Sequence, residues 1–200
     1  YECIEWLSSI DQTLQQDADA YPAIARHSFR RLGLYCEALL TFYFEHCDHY
    51  PQVYHNVRLQ GEQRTLGECD FLLADQQGRV SHVELAVKFY LQHTAGHSEW
   101  DAWIGPNAMD RLDLKLQRMI THQLALPQHH DAQAPLQQQR DALGLTGEIT
   151  SLHLIKGILF FPHEAQQHWP EYGNTDGLYG TWMRISDFLA WASTQHCRVK

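Results

Sequence analysis

The stretch that decides the fold is residues 66–91, LGECDFLLADQQGRVSHVELAVKFYL. Two runs rich in apolar residues flank the polar segment 75–79, which contains a glycine. This pattern predicts two strands, residues 66–74 and 80–91, joined by a tight turn into an antiparallel hairpin. A further strand over residues 53–59 precedes them, so the sequence predicts a three-stranded meander.

Side chains alternate between the two faces of a strand, and in this hairpin the alternation separates apolar from polar residues. In the later strand the apolar face carries Val83, Leu85, Val87, Phe89 and Leu91. The opposite face carries His82, Glu84, Ala86, Lys88 and Tyr90. In the earlier strand we expect Cys69, Phe71 and Leu73 to oppose Glu68, Asp70 and Leu72. Both polar faces therefore carry carboxylates.

The turn fixes which residues face each other across the hairpin. A loop of residues 76–78 with Gly78 in the left-handed conformation pairs Asp75 with Arg79, and therefore Asp70 with Glu84. Opposed residues have Cβ atoms only ~4.5–5.5 Å apart, where two like charges destabilise a sheet. A divalent cation such as Mg²⁺ would compensate, since it needs only one or two carboxylates. Alternatively, the carboxylates face solvent on the polar side of a one-sided sheet.

The remaining elements predict a mixed α/β fold. We expect helices over residues 2–16, 28–46 and 107–126, the last capped by Asn107, and strands over 155–161 and 178–185. Residues 127–147 are rich in Gln and His and are expected to form an exposed, mobile insertion, with room for one helix between Pro135 and Gly144. Ser186 is expected to cap a closing helix.

Composition limits the class of protein. With 200 residues, 44% of them hydrophobic and 20% charged, the chain is expected to be one globular domain over residues 1–200. No apolar run approaches the length of a membrane span and no signal peptide is recognisable, so we expect no membrane association and a cytoplasmic location. Five cysteines without a CxxC pair indicate reduced thiols. The net charge of -9 repels nucleic acid at long range, so a polyanion would have to be held locally.

A basic stripe follows the meander. Arg111, Lys115, Arg118 and His122 recur at helical spacing and could hold backbone phosphates. The alternative is a solvated helix face on which Asp110 or Asp113 forms ion pairs.

Several phrases together resemble the PD-(D/E)XK, or restriction-endonuclease-like, superfamily. They are Gly-Glu-x-Asp-Phe-Leu-Leu from Gly67, a short turn, and Val-Glu from Val83 followed by a lysine. Longer phrases, RLGLYCE from Arg31, HVELAVKFYL from His82 and GPNAMDRLDxKL from Gly105, resemble an uncharacterised bacterial family placed in that superfamily. The resemblance spans about residues 31–123. It implies a core of helix, three-stranded meander, helix and strand over about residues 28–161, extended by an N-terminal helix and a C-terminal strand and helix.

The resemblance also implies a site that binds Mg²⁺ or Mn²⁺. Asp70 matches the central metal ligand, Glu84 the second ligand, and Glu37 the acidic residue of the first core helix. Lys88 matches the catalytic lysine only with a displacement, because Ala86 occupies the position two residues after Glu84. The lysine is then roughly 13 Å along the strand from Glu84 instead of roughly 7 Å. The catalytic role of the lysine could be restored in three ways. A β-bulge could shorten the distance, Lys88 could reach back with its long side chain, or Lys115 could replace it.

Metal-dependent hydrolysis of nucleic acid, preferably DNA, is therefore the expected function. The competing hypothesis is an inactive module of the same fold that binds nucleic acid or a protein partner, and a homodimer is compatible with either. His82 lies on the carboxylate face and is a candidate proton shuttle, or else an ordinary polar-face histidine.

Overall fold

The structure is a computed structural model that describes residues 8–13, 16, 31–106 and 108–194. Residues 8–13 and 16 are helical, while the rest of the N-terminal helix predicted over residues 2–16 lies outside the described residues. The later helices are α1 (Leu32–His46), α2 (Leu112–Arg118), α3 (His130–Leu143) and α4 (Ile185–Thr194). The strands are β1 (Gln52–Gln60), β2 (Thr65–Ala74), β3 (Val80–Gln92), β4 (Trp103–Ile104), β5 (Ile149–Pro162) and β6 (Tyr179–Trp182).

Within the described residues, these strands form one six-stranded sheet of order β1-β2-β3-β5-β6, with β4 paired to β3. The pairs β1–β2, β2–β3 and β3–β4 are antiparallel, and β5–β6 is parallel. The predicted mixed α/β class and the three-stranded meander are confirmed.

The hairpin has the predicted register. Leu72 pairs with His82 and Ala74 with Val80, and continuing this register places Asp70 opposite Glu84. Gly78 has a φ of 77°, the left-handed conformation that the turn requires. The Asp75 carboxylate accepts hydrogen bonds from the backbone N–H groups of Gln77 and Arg79, both at 2.9 Å, and from Arg79 Nε at 2.7 Å. The side chain of Asp75 thus fixes the turn that sets the register.

The chain divides into two compact units. One comprises the described residues up to Val87 with Leu124–Leu154, and the other comprises Lys88–Gln123 with the described residues from Ile155 onward. The single domain predicted for residues 1–200 stays a prediction.

In the first unit two apolar clusters contain residues of β2. One joins β2 to α1, and its Phe44 and Phe71 rings meet edge to face with centroids 5.3 Å apart. The other joins β2 to α3 through Leu72, Ala132 and Leu136. Burial of these side chains on both faces supplies the main stabilisation of this unit.

The alternation of side chains between the two faces of the sheet is interrupted in the middle of β2. Cys69 and Leu72, three residues apart, belong to one apolar cluster, whereas Phe71 belongs to the other. The prediction that Cys69 shares a face with Phe71 is therefore wrong. In β1, Asn56 has a φ of 54°, and the residue pairs between β1 and β2 on either side of it are His55↔Phe71 and Val57↔Cys69. This irregularity lies beside Asp70, and local departures from regular pairing re-aim side chains.

Two sequence predictions about helices need correction. The segment 127–147 is not simply an exposed insertion, because α3 begins at His130 instead of Pro135 and buries Ala132 and Leu136. The helix predicted from residue 107 begins at Leu112 and passes into a π-helical turn at Met119–Gln123. Gly105 N–H donates to the Asp110 carbonyl before this helix begins, and the predicted cap Asn107 lies outside the described residues. Two boundaries also differ, since β5 starts at Ile149 and α4 at Ile185, before Ser186.

The second unit has its own aromatic core. Trp103 and Phe161 are fully buried and meet edge to face, with ring centroids 5.2 Å apart. Tyr90, Leu112 and Leu116 pack in the same cluster. The Gln92 side-chain amide donates to the carbonyl oxygens of His97 and His168, which ties two loops to β3.

Candidate metal centre

Asp70 and Glu84 contact each other across β2 and β3. The Asp70 N–H donates to Glu84 Oε1 over 3.4 Å, and the Leu85 N–H donates to Asp70 Oδ2 over 2.8 Å. Each carboxylate is thus held against the backbone of the opposite strand. Glu84 is fully buried and Asp70 is partly buried. The face predicted to be polar is therefore covered at Glu84, which contradicts the alternative in which both carboxylates simply face solvent.

The electrostatics of Asp70 reflect this crowding. The pKa of Asp70 is raised to about 6, mainly by burial; the negative charges of Glu84 and Glu37 act in the same direction, and the hydrogen bond from Leu85 N–H acts against them. Burial, together with the charges of Glu84 and Asp70, also raises the pKa of the Cys69 thiol to about 12. The centre disfavours additional negative charge, so a cation bound there would relieve the repulsion.

Glu37 reaches the same region from α1 through Asn56. Asn56 Nδ2 donates to Glu37 Oε1 over 2.7 Å, and Asn56 is the residue with the positive φ in β1. A non-glycine residue in this conformation is uncommon, and such residues are enriched at functional sites. Glu37 was predicted from the family resemblance, because its position at the edge of the apolar stripe of α1 is equally that of an ordinary glutamate, and no sequence signal indicated Asn56.

His82 and Ser151 complete the polar network around Glu84. His82 is fully buried, with its Nε2 at 2.7 Å from Glu84 Oε1 and its Nδ1 at 3.1 Å from Ser151 Oγ. Ser151 belongs to β5, far away in sequence, and sequence reasoning missed it. The pairing of a buried histidine with a strand serine has no local signature.

Lys88 takes part in a different cluster, within the second unit. Its Nζ donates to Asp110 Oδ2, and the Tyr90 hydroxyl donates to Asp110 Oδ1 over 3.4 Å. Burial and the Asp110 charge raise the pKa of Tyr90. Asp110 was expected only as a partner within the following helix. It acts instead as the acceptor for two side chains of β3.

The basic residues after the meander do not form the predicted helical stripe. Arg111 precedes α2 and makes two hydrogen bonds to the Asp113 carboxylate, of 2.9 and 2.6 Å. Lys115 Nζ donates to Gln123 Oε1 over 3.2 Å. Arg118 ends α2, and His122 lies in the π-helical turn, where the angular spacing differs from that of an α-helix. Pairing of Arg111 with Asp113 agrees with the alternative of ordinary surface ion pairs.

The donor set at the centre fits a hard divalent cation. Mg²⁺ is held in proteins by one or two carboxylates, with water and substrate phosphates as the other ligands. Asp70 and Glu84 supply two such carboxylates. In the part of the chain that the structure describes, no group of three or more His, Cys, Asp or Glu side chains is arranged as a metal site.

Among the described residues there is no helix with the length and apolar character needed to cross a membrane.

The fold and the site define a mixed α/β protein in which a partly buried Asp70 and a fully buried Glu84 lie on adjacent strands of a mainly antiparallel sheet. The chain belongs to the family described as domain of unknown function (DUF1853), whose profile matches residues 2–199. Comparison with curated proteins and with solved structures gave no significant match.

Proposed function

We propose that this DUF1853 protein is a nuclease that depends on a divalent metal ion and hydrolyses phosphodiester bonds of nucleic acid, preferably DNA. The observation that supports it most is the proximity of Asp70 and Glu84 on adjacent strands, where the Asp70 backbone N–H donates to Glu84 Oε1. The Asp70 side chain is partly buried and the Glu84 side chain is fully buried. Two carboxylates in such surroundings repel each other and are costly to bury unless something compensates. The costly arrangement is understandable if it serves to bind a cation.

The order of elements supports the same proposal. A helix (α1), a three-stranded meander (β1–β3), a helix (α2) and a later strand (β5) follow in the sequence of the PD-(D/E)XK core that the motifs resemble. The acidic residues that the resemblance implies come from α1, β2 and β3, and Glu37 contributes to the electrostatics of Asp70. We therefore also propose that this chain is related to the PD-(D/E)XK superfamily.

The residues have distinct roles in the proposed reaction. Asp70 and Glu84 would hold Mg²⁺ or Mn²⁺, and Glu37 would act nearby through its charge and its hydrogen bond from Asn56. The ion would supply activation of water and stabilisation of the leaving oxygen. The resemblance assigns orientation or deprotonation of the attacking water to Lys88 or Lys115, whose Nζ atoms donate within the second unit to Asp110 Oδ2 and Gln123 Oε1.

A second candidate function is a binding module that keeps the fold without catalysis. The ion pair of Lys88 with Asp110 favours it, because the lysine that the resemblance assigns to the reaction is already paired with a carboxylate. Such a module would bind nucleic acid or a protein partner.

A cleavage assay separates the two candidates. Purified protein with Mn²⁺ is incubated with duplex DNA, single-stranded DNA and structured RNA, and compared with Asp70→Asn and Glu84→Gln. We expect wild-type cleavage that EDTA abolishes and that each substitution lowers at least about 100-fold, as for the loss of a metal-activated step. The matched control is Glu68→Gln, two residues from Asp70 on β2, which should keep wild-type rates.

Equal cleavage by wild type and Asp70→Asn would contradict the nuclease proposal. Undetectable cleavage together with DNA binding that survives Asp70→Asn would favour the binding module.

A further inference from the structure

The buried histidine next to the candidate metal centre is held on both of its ring nitrogens. His82 Nε2 lies 2.7 Å from Glu84 Oε1, and His82 Nδ1 lies 3.1 Å from Ser151 Oγ. Both His82 and Glu84 are fully buried. Burial of such groups costs free energy unless they are hydrogen-bonded, and here each ring nitrogen of His82 has a partner.

A carboxylate oxygen accepts, so in this contact a ring N–H at His82 Nε2 donates to Glu84 Oε1. The Ser151 hydroxyl, which can donate or accept, holds the ring on its other side at Nδ1. The arrangement therefore runs from Ser151 on β5 through His82 to Glu84, both on β3. It fixes the ring orientation and, through the ring, one oxygen of Glu84.

We propose that His82 is a positioning residue for the metal ligand Glu84, and that Ser151 holds the His82 ring in the orientation that this role requires. The inference rests on the proposed function, because it assigns a purpose to Glu84 as a ligand. Groups that orient the ligands of a metal ion strongly influence its affinity, and their loss typically weakens binding by about 10–100-fold. A histidine kept only for packing would have no such influence.

The geometry also argues against a role of His82 as a proton shuttle to solvent. Its side chain has no exposed surface, and both of its nitrogens are bonded to protein groups. A shuttle has to exchange protons with water or substrate, whereas a positioning residue needs only fixed contacts.

The test compares two substitutions at one position. Gln places an amide N–H near the position of His Nε2, so His82→Gln keeps a donor to Glu84, whereas His82→Leu removes it. Calorimetric titration of Mn²⁺ into the metal-free full-length chain is expected to show about 10-fold or greater weakening for His82→Leu and Ser151→Ala. His82→Gln should restore most of the affinity. Thr150→Ala, next to Ser151 on β5, is the control and should bind like wild type.

A spectroscopic measurement complements the titration and needs no metal. Nitrogen-15 NMR of the wild-type imidazoles should show that Nε2 of His82 carries a proton, and Ser151→Ala should shift the Nδ1 resonance of the same ring. A ring protonated only at Nδ1 would overturn the proposal. This readout remains decisive even if His82→Leu fails to fold.

The outcomes distinguish the two proposals. Wild type that binds Mn²⁺ together with His82→Leu of equal affinity overturns the role of His82 and leaves the metal centre intact. Wild type that does not bind Mn²⁺ overturns the metal centre and the positioning role with it. Equal weakening by His82→Gln and His82→Leu would also overturn it, because the retained donor would then have no effect.

Discussion

Asp70 is a partly buried carboxylate that faces a second acidic residue, and its ionised form is unfavourable without a cation. Burial and the charges of Glu84 and Glu37 raise its pKa to about 6. We predict that Asp70→Asn stabilises the metal-free protein at pH 8, by about 1 kcal/mol after allowance for solvent screening. For a chain of this size that corresponds to a rise of about 2–4 °C in Tm, measured by thermal denaturation in EDTA.

The control for that measurement is Glu68→Gln on the same strand. Glu68 accepts from Arg58 Nε over 2.7 Å, so its removal should lower Tm slightly or leave it unchanged. A fall in Tm for Asp70→Asn would show that Asp70 is a stabilising structural residue, against the proposed role.

Asp75 has the opposite electrostatic character. Its burial opposes ionisation, but hydrogen bonds from the Arg79 side chain and from the backbone N–H groups of Arg79 and Gln77 lower its pKa overall. A carboxyl group with a lowered folded-state pKa stabilises the protein above its unfolded-state pKa of about 4, and this contribution disappears as the pH falls through the folded-state value. Asp75→Asn should therefore reduce Tm at pH 7 and have a shrinking effect towards pH 3.

The comparison for Asp75 is Asp48→Asn, at an exposed position. It should not reproduce the pH-dependent difference between the two melting curves. A difference for Asp75→Asn that is constant from pH 3 to pH 7 would contradict the assigned hydrogen bonds.

At the scale of residues, the sequence predicted the register of the β2–β3 hairpin, because a short turn determines it. Gly78 and the three-residue loop fixed the register, and the register brought Asp70 opposite Glu84. The contact of His82 with Ser151 depends on the position of β5, which no local pattern determines. The positive φ of Asn56 was equally unpredictable, because a polar residue in an edge strand carries no such signal.

At the scale of elements, the pairing of β3 with β5 depends on one glycine. Gly157 has a φ of 152°, and a Cβ at this position would lie 1.6 Å from the Lys88 carbonyl oxygen. Gly157→Ala is expected to destabilise the protein by more than about 2 kcal/mol, because backbone of β3 or β5 must move. Chemical denaturation followed by circular dichroism measures this loss.

Gly33→Ala serves as the comparison, since no atom of the described residues lies within 4 Å of a Cβ at that position in α1. The alanine should stabilise the helix by about 0.5–1 kcal/mol. Similar small effects of both substitutions would contradict the close approach at Gly157.

Helix α3 provides a second prediction at this scale. Leu136 is buried in the cluster that also contains Leu72 and Ala132. Leu136→Ala should reduce the free energy of unfolding by about 2–5 kcal/mol, the usual cost of truncating a core leucine. The neighbouring exposed Gln138→Ala should change it by less than about 0.5 kcal/mol. A small effect of Leu136→Ala would support the exposed insertion that the sequence suggested.

The sequence failed at α3 for a physical reason. Its buried face has few apolar residues, with Ala132 and Leu136 one turn apart, among many glutamines. Such a sparse stripe gives a weak periodic signal, although two small apolar contacts suffice when the sheet supplies the other side of the core. The predicted helix start at residue 107 failed because Asp110 accepts hydrogen bonds from Lys88 and Tyr90 of β3, which are far away in sequence, while its carbonyl accepts from the nearby Gly105 N–H.

At the scale of the whole molecule, the net charge of the chain has the same sign as that of the proposed substrate. The chain carries a net charge of -9, while nucleic acid is a polyanion. A divalent cation between the carboxylates and a phosphate would resolve this locally, since it reverses the sign of the potential at the reacting group. Binding of nucleic acid should therefore depend on the metal ion more strongly than in a basic protein.

The central claim is that Asp70 and Glu84 together bind a divalent cation, and calorimetric titration of Mn²⁺ into metal-free protein tests it most directly. The wild type and Glu68→Gln should bind with the same affinity, and the double variant Asp70→Asn, Glu84→Gln should show no binding heat. Binding that persists unchanged in the folded double variant, or no binding in the wild type, would contradict the claim.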